Sequence, residues 1–158
     1  MSARILIVDD HDVVRQGVKS FLAARQDWEI CGEAATGEEA VRAVAALKPD
    51  VIILDLTMPG MSGLDAAPRI VALGTGVRIL IFTMHESKRM ADDVRQAGAH
   101  GYVQKSQAAR DLIAAVESLL AGDTFFDPDL QAHTTEGKKA DRADPKSGIL
   151  YRTSFYLV

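Results

Sequence analysis

Short apolar runs recur along the chain, and between them apolar residues return at the three- and four-residue spacing of helices. Four of these runs are Ile5–Val8, Val51–Leu54, Ile79–Phe82 and Gly101–Gln104. Their apolar positions do not alternate with polar ones, which is typical of parallel strands buried on both faces of a sheet. A further strand is predicted over about 28–33.

Helical spacing and capping residues predict one helix after each strand. These helices cover about 12–25, from the Thr36 cap to before Lys48, from the Ser62 cap onward, about 86–96 and about 107–120. Pro68 is predicted to kink the third helix or to delay its start, because proline removes an amide hydrogen bond. Five strand–helix units with right-handed crossovers predict an α/β fold, a doubly wound five-stranded parallel sheet flanked by five helices.

Composition places the chain among globular proteins with a core of ordinary size. It has 158 residues, of which 47% are hydrophobic and 25% charged, and this fits one domain. The first 128 residues carry 13 Lys and Arg against 18 Asp and Glu. Because nucleic-acid binding depends on neutralising phosphates, this acidic body predicts no nucleic-acid partner.

Cysteine usage and hydropathy indicate a cellular compartment. Cys31 is the one cysteine of the sequence, and it is predicted to be a reduced core thiol. No apolar run approaches the roughly 18 residues that cross a bilayer, and the first residues lead directly into a strand rather than a signal core. These features predict a cytoplasmic protein with no membrane partner.

The character of the chain changes after the last predicted helix. Residues 1–121 are predicted to form one domain. Residues 122–148 are mostly polar and lack apolar periodicity, so they are interpreted as a linker or disordered segment. Residues 149–158 form an apolar tail, which is too short to make a second core.

Polar side chains stand at the carboxyl ends of four predicted strands. They are Asp9 and Asp10, Asp55, Thr83 and Lys105. In open α/β sheets, ligand sites lie just beyond the carboxyl ends of the strands, so these side chains are expected to meet in one crevice. Three carboxylates, a hydroxyl and an ammonium group suit a divalent cation and a transferable phosphoryl group.

The type of each side chain suggests its role. The carboxylates of Asp9, Asp10 and Asp55 are hard oxygen ligands, which favour Mg²⁺ (or Mn²⁺). Asp55 is the candidate nucleophile, because a carboxylate can attack phosphorus and form an acyl phosphate. The metal and Lys105 are expected to neutralise the phosphoryl oxygens, while the Thr83 hydroxyl donates to one of them.

These residues, taken with their neighbours, resemble the receiver domain of two-component response regulators. The neighbours that carry the resemblance are Met58-Pro59-Gly60-x-x-Gly63 after Asp55 and Gly101-Tyr102 before Lys105. The details Asp10-His11, Thr83-Met84-His85 and Gly101–Lys105 are most similar to the NarL/FixJ (LuxR-type) subfamily. The resemblance covers residues 4 to about 121 and implies the flavodoxin-like receiver fold.

The resemblance implies that Asp55 takes a phosphoryl group from a sensor histidine kinase. It also implies that Asp9, Asp10, Asp55 and the backbone carbonyl of Thr57 bind Mg²⁺. Such a domain catalyses only its own phosphorylation and dephosphorylation, and it acts as a signalling module rather than as an enzyme.

Further residues are implied to transmit the signal and to set its duration. Thr83 moves toward the phosphoryl group, and Tyr102 follows by turning inward. Thr57 and His85 flank the attacking water and tune the lifetime of the phosphoryl group. His11 follows the acidic pair and could touch the site, although a loop residue is the preferred interpretation.

Phosphorylation is implied to remodel the surface formed by the fourth helix, fifth strand and fifth helix. That surface would control contacts with a partner. A homodimer would use the same surface or the face of the first and fifth helices.

Two alternatives belong to different functional classes. NarL/FixJ regulators continue into a helix-turn-helix domain, whereas the residues after Pro128 lack its apolar helices and basic recognition helix. One alternative is therefore a DNA-binding transcriptional regulator whose helix-turn-helix domain is truncated or replaced. The other is a phosphohydrolase with an aspartyl nucleophile. Such enzymes commonly carry a second Asp two positions later, where this chain has Thr57.

Overall fold

The described residues fold around a parallel five-stranded sheet. The computed structural model describes residues 2–84 and 88–126. The strands are β1 (Ala3–Val8), β2 (Trp28–Ala34), β3 (Val51–Asp55), β4 (Arg78–Thr83) and β5 (Gly101–Gln104). The helices are α1 (Asp12–Leu22), α2 (Gly37–Leu47), α3 (Gly63–Ala72), α4 (Lys88–Gln96) and α5 (Ala108–Leu120), with one 3-10 turn at Lys105–Gln107. The predicted fold class is confirmed.

Alternate residues of each strand face the two helical layers. On one side the sheet packs against α1 and α5, which also contact each other. Ile7, Ile53 and Leu80 belong to this core, and each is at most 1% exposed. Every residue of β3 is buried, as the continuous apolar run predicted for a central strand.

The strand order places a crevice beside the acidic residues. The order is β2-β1-β3-β4-β5, so the chain moves from β1 to β2 on one side and then crosses to β3 on the other. At such a reversal the loops after neighbouring strands diverge and leave a crevice beyond their carboxyl ends. Asp9 follows β1 directly and Asp55 ends β3, so both lie at this crevice.

Local capping explains where α2 and α3 begin. The Thr36 hydroxyl accepts a hydrogen bond from the Glu39 amide at 3.1 Å, and the Glu39 carboxylate accepts one from the Ala35 amide at 3.1 Å. The Ser62 hydroxyl likewise accepts from the amide of Asp65 at 3.2 Å. The start of α3 is therefore not delayed by Pro68, which lies inside the helix.

Helix α1 ends at Leu22 rather than near residue 25. The amide of Arg25 donates to the Leu22 carbonyl at 3.0 Å and closes a turn that leads into β2. The Arg25 guanidinium lies 4.5 Å from the ring centroid of Trp28 and pairs with Asp27 and Glu117. These contacts favour the turn over another helical turn.

Phe125 joins the chain after α5 to the edge of the sheet. Its amide donates to the His100 carbonyl at 3.0 Å, and its carbonyl accepts from the Tyr102 amide at 2.7 Å. The Phe125 ring is 5% exposed and lies in the core between the sheet and α5. The structured region thus extends past residue 121 and includes Phe125.

The chain divides after Phe125 into two units, Met1–Phe125 and Phe126–Val158. Apart from 122–126, the predicted linker over 122–148 and the predicted tail over 149–158 lie outside the described residues, and they stay predictions.

Among the residues that the structure describes, no helix is both long and apolar enough to span a bilayer. The Cys31 thiol is partly buried, which raises its pKa and disfavours the reactive thiolate.

His100 fastens β5 to β4 at the amino ends of these strands. Its amide donates to the Ile79 carbonyl at 2.8 Å, and its ring Nδ1 accepts from the Ile79 amide at 2.9 Å. An accepting Nδ1 must be unprotonated. Burial, and then the positive charge of Arg78, lower the pKa of His100.

The unfolding free energy is expected to fall as the pH drops below about 6.5, the ordinary pKa of histidine. Below that pH the unfolded chain takes up a proton that folded His100 resists, whereas above it neither state is protonated. In His100→Asn, the amide oxygen can accept the same Ile79 hydrogen bond without titrating. Urea unfolding measured from about pH 7.5 to pH 5 should show that the unfolding free energy of wild type exceeds that of His100→Asn by an amount that shrinks as the pH falls. A pH-independent difference between the two proteins would contradict this role.

Candidate functional site

Asp9, Asp55 and Lys105 form a buried cluster at the carboxyl ends of β1, β3 and β5. Asp9 is 2% exposed and Asp55 is 4% exposed. The Lys105 Nζ lies 2.7 Å from Asp9 Oδ2 and 3.2 Å from Asp55 Oδ1. The expected meeting of these three side chains is therefore present. One ammonium group compensates two carboxylates, which leaves an excess of negative charge.

This excess charge affects the carboxyl group of Asp55 directly. Burial raises the pKa of Asp55 most, and the neighbouring charge of Asp9 raises it further. The ammonium of Lys105 and a hydrogen bond from the Thr57 backbone act in the opposite direction. Binding of a cation at the crevice would relieve the repulsion that raises this pKa.

Asp10 offers a further carboxylate oxygen at the same place. Its Oδ1 is buried and accepts no well-directed hydrogen bond within residues 2–84 and 88–126, and its one polar neighbour is the exposed His11 ring, whose Nδ1 lies 3.1 Å away. A buried carboxylate oxygen that accepts no such bond is costly unless a cation or water satisfies it. Ligand atoms of Asp9, Asp10, His11 and Asp55 lie within 4.8 Å of one another. Hard oxygen donors at this spacing are compatible with Mg²⁺ or Mn²⁺.

His11 contacts the acidic cluster, which is the alternative to the preferred interpretation of it as a loop residue. Its amide donates to Asp9 Oδ1 at 2.8 Å. Its ring Nδ1 lies 3.2 Å from Asp9 Oδ1 and 3.1 Å from Asp10 Oδ1, while the side chain is 67% exposed. His11 occupies the N-cap position of α1, and its side chain does not cap the helix.

Thr83 and Tyr102 lie on β4 and β5 beside this cluster. Thr83 is 1% exposed and pairs with Gln104 in the sheet. Asp55 on β3 pairs with Phe82 on β4, and Thr83 is the next residue of β4. Thr83 therefore lies one residue closer to the carboxyl edge of the sheet than Asp55 does. Tyr102 is 7% exposed and pairs with Ile81, so its side chain is buried in this structure.

The remaining predicted site residues are Thr57 and His85. Thr57 follows Asp55 by two residues, its side chain is exposed, and its backbone hydrogen-bonds the Asp55 carboxylate. His85 lies outside the described residues, so its predicted role in phosphoryl lifetime stays a prediction. Met84, which precedes it, is 77% exposed.

Gly63 holds the loop after Asp55 close to the strand. Its amide donates to the Leu56 carbonyl at 2.9 Å. A Cβ at this position would lie 2.3 Å from the Asp55 carbonyl oxygen and 3.0 Å from the Leu56 Cα. Both are backbone atoms that cannot rotate away, so only glycine fits here without moving Asp55.

Gly63→Ala is expected to lower the unfolding free energy by about 1–3 kcal/mol, a common range for overpacking, and to slow labelling of Asp55 by acetyl phosphate. Gly17→Ala is the matched control, because a Cβ at Gly17 meets no atom within 4 Å. Alanine inside α1 should raise stability by roughly 0.5–1 kcal/mol. Urea unfolding and intact-mass labelling of both variants would check this. Equal stability of the two variants would contradict it.

Comparison with known families matches residues 5–117 to the response regulator receiver domain. The chain is 35% identical over 126 residues to the response regulator UvrY of Escherichia coli O6:H1, covering 80% of this chain and 58% of that protein. It is 42% identical over 126 residues to the oxygen regulatory protein NreC of Staphylococcus carnosus, covering 79% and 58%. The chain thus spans a little under three fifths of the length of these relatives.

Solved structures give the same match across nearly their whole length. A two-component response regulator of the LuxR family from Aurantimonas has a TM-score of 0.78 and 38% identity, covering 88% of this chain and 99% of that one. The signal receiver domain of NarL from Mycobacterium tuberculosis has a TM-score of 0.73 and 30% identity, covering 77% and 98%. The similarity therefore includes every strand that contributes to the acidic cluster.

Proposed function

This chain belongs to the response regulator receiver family, in its LuxR-type branch, and from that premise we propose that Asp55 accepts a phosphoryl group from a sensor histidine kinase. Members of the family are generally signalling domains that interact with histidine kinases. One observation carries the proposal for this chain. The buried Asp55 carboxylate lies 3.2 Å from the Lys105 ammonium, at a crevice where ligand atoms of Asp9, Asp10 and Asp55 lie within 4.8 Å of one another.

The proposed transfer needs few protein groups. An oxygen of Asp55 attacks phosphorus, and the bond between phosphorus and the kinase histidine nitrogen breaks. The electron pair of that bond returns to the imidazole, and the acyl phosphate stays on Asp55. Charge stabilisation dominates in such reactions. Lys105, already within 3.2 Å of Asp55, supplies one positive charge to the phosphoryl oxygens.

The proposed metal site uses the rest of the cluster. Asp9, Asp10, Asp55 and the backbone carbonyl of Thr57 would hold Mg²⁺ or Mn²⁺, which supplies positive charge to the phosphoryl oxygens when it is bound. The Asp10 Oδ1 supports this assignment, because it accepts no well-directed hydrogen bond among the described residues and its one polar neighbour, the His11 ring, is 67% exposed and can turn away. Lys105 leaves one net negative charge between Asp9 and Asp55, which a divalent cation would compensate.

Thr83 and Tyr102 are the proposed switch. The Thr83 hydroxyl would donate to a phosphoryl oxygen, and the buried Tyr102 ring would occupy the space that this movement opens. A new dianionic group biases a two-state element of this kind. Thr57 and His85 are proposed to tune how long the acyl phosphate lasts before water attacks it.

The proposed output is a contact between proteins. The surface of α4, β5 and α5 would bind a partner or a second copy of the chain, with the α1 and α5 face as the other dimer surface. A cytoplasmic location fits a histidine kinase partner. A DNA-binding regulator remains the alternative function, since the matched relatives are longer than this chain.

Incubation with acetyl phosphate and Mg²⁺, followed by intact-mass measurement, tests the proposal. One phosphoryl group should be added, and none when EDTA removes the metal. An unchanged mass in the presence of Mg²⁺ would refute it.

Titration with duplex DNA at several salt concentrations tests the output, because DNA binding through phosphates weakens steeply with salt. Binding of that kind would favour the DNA-binding alternative.

A further inference from the structure

The guanidinium group of Arg15 bridges three elements around the acidic residues. Its Nη1 donates to the main-chain oxygen of Asp9, at the end of β1. Its Nε donates to Glu33 Oε1 on β2 at 2.9 Å, and its Nη2 donates to Asp12 Oδ1 in the first turn of α1 at 3.1 Å. The Arg15 side chain is 16% exposed, and of its three acceptors Asp12 is 73% exposed and Glu33 32%, so the hydrogen bond to Asp9 is the one that water reaches least.

The backbone of Arg15 holds the same loop from its other end. The Arg15 amide donates to the His11 carbonyl at 3.2 Å. The carbonyl groups of Asp9 and His11, the residues on either side of Asp10, are therefore both hydrogen-bonded to Arg15. The Oδ1 of Asp10 accepts no well-directed hydrogen bond within the described part of the chain, and its one polar neighbour is the exposed ring of His11 on the same loop. Its position thus depends on a backbone that Arg15 fixes.

A second cation keeps this bridge in place. The Lys19 ammonium pairs with Glu33 Oε2, while Arg15 occupies Oε1. Lys19 and then Arg15 lower the pKa of Glu33, against the opposing effect of burial. Glu33 is therefore ionised at neutral pH and offers Arg15 a charge-assisted hydrogen bond, which is stronger than a neutral one.

We propose that Arg15 is a positioning residue for the loop of residues 9–11, and that it holds the Asp10 carboxylate where an oxygen can take Mg²⁺. The inference rests on the proposed function of the acidic site and assigns a role to a side chain outside it. Loss of an outer contact of this kind typically weakens metal binding by about 10–100-fold. Lysine cannot replace Arg15, because one ammonium group does not reproduce a planar donor set aimed at three acceptors.

Arg15→Lys tests this role without phosphorylation. Calorimetric titration of the unphosphorylated protein with Mg²⁺ should give a dissociation constant about 10-fold weaker than that of wild type. Arg25→Lys is the matched control, because Arg25 also bridges elements through carboxylates but lies at the amino ends of the strands. Thermal unfolding measures the structural cost of both changes. Arg25→Lys should lose stability without losing Mg²⁺ affinity.

The outcomes separate the inference from the proposed function. If wild type and Arg15→Lys bind Mg²⁺ equally, the inference is wrong and the metal site stands. If wild type does not bind Mg²⁺ at all, the proposed metal site fails and the inference fails with it. If Arg15→Lys does not fold, Glu33→Gln removes the charge that holds the guanidinium and should itself weaken Mg²⁺ binding. Unchanged affinity in Glu33→Gln would then overturn the inference.

Discussion

Asp55→Asn is expected to abolish labelling by acetyl phosphate while leaving the protein at least as stable as wild type. The amide cannot attack phosphorus to form an acyl phosphate, so labelling is lost. Burial and the charge of Asp9 raise the pKa of Asp55 in the folded state. The contribution of Asp55 to stability is therefore lost as the pH rises, and at neutral pH its charged form opposes folding. Removing that charge should raise the unfolding free energy.

Asp50→Asn is the matched control for this variant. Asp50 lies just before the amino end of β3, the same strand that Asp55 ends, and its Oδ2 accepts a hydrogen bond from the Arg4 amide at 2.8 Å. The same chemical change there should leave labelling intact. Intact-mass measurement after incubation with acetyl phosphate and Mg²⁺ checks both variants. Full labelling of Asp55→Asn would show that another residue is the acceptor.

The fold and the central cluster follow from features that act along short stretches of chain. A continuously apolar run such as Val51–Leu54 predicts a strand buried on both faces, and the residue after it must then lie at the carboxyl edge of the sheet. That argument brought Asp9, Asp55 and Lys105 together without any knowledge of distances. The capping residues Thr36 and Ser62 fixed the helix starts in the same local way.

Other features depend on packing between segments that are distant in the sequence, and no local sequence pattern predicts them. Arg15 hydrogen-bonds to Glu33 only because β2 lies beside β1. In the sequence alone, Arg15 looks like an ordinary exposed residue of a helix. Phe125 follows the last helix in a polar stretch, yet its backbone pairs with β5. His11 faces the carboxylates because the loop turns there, and a dipeptide pattern does not determine that direction.

Lys105→Met is expected to lower both the rate of Asp55 labelling and the unfolding free energy. Lys105 is the ammonium partner that Asp9 and Asp55 share at 2.7 and 3.2 Å, and its side chain is 10% exposed. Breaking a buried ion pair from one side typically lowers the unfolding free energy by about 3–5 kcal/mol, since uncompensated charges remain. Labelling by acetyl phosphate should slow by roughly 10²–10³, the loss typical of removing one preorganised charge-stabilising donor. Urea unfolding and the time course of intact mass measure the two effects.

Lys19→Met is the control for the stability measurement alone, because Lys19 also supports the Arg15–Glu33 bridge and is therefore unsuited as a control for labelling. Lys19 and its partner Glu33 are each 32% exposed, so losing that ion pair should lower stability by at most about 1 kcal/mol.

Mg²⁺ should stabilise Lys105→Met more than wild type, because a ligand that binds only the folded state raises its stability and the cation replaces the missing positive charge. The double variant Lys105→Met with Asp55→Asn should lose less stability than Lys105→Met alone, because one of the two carboxylates is then neutral. If Lys105→Met instead matches wild type in stability and in labelling, the two carboxylates do not depend on this ammonium group, and the proposed charge arrangement is wrong.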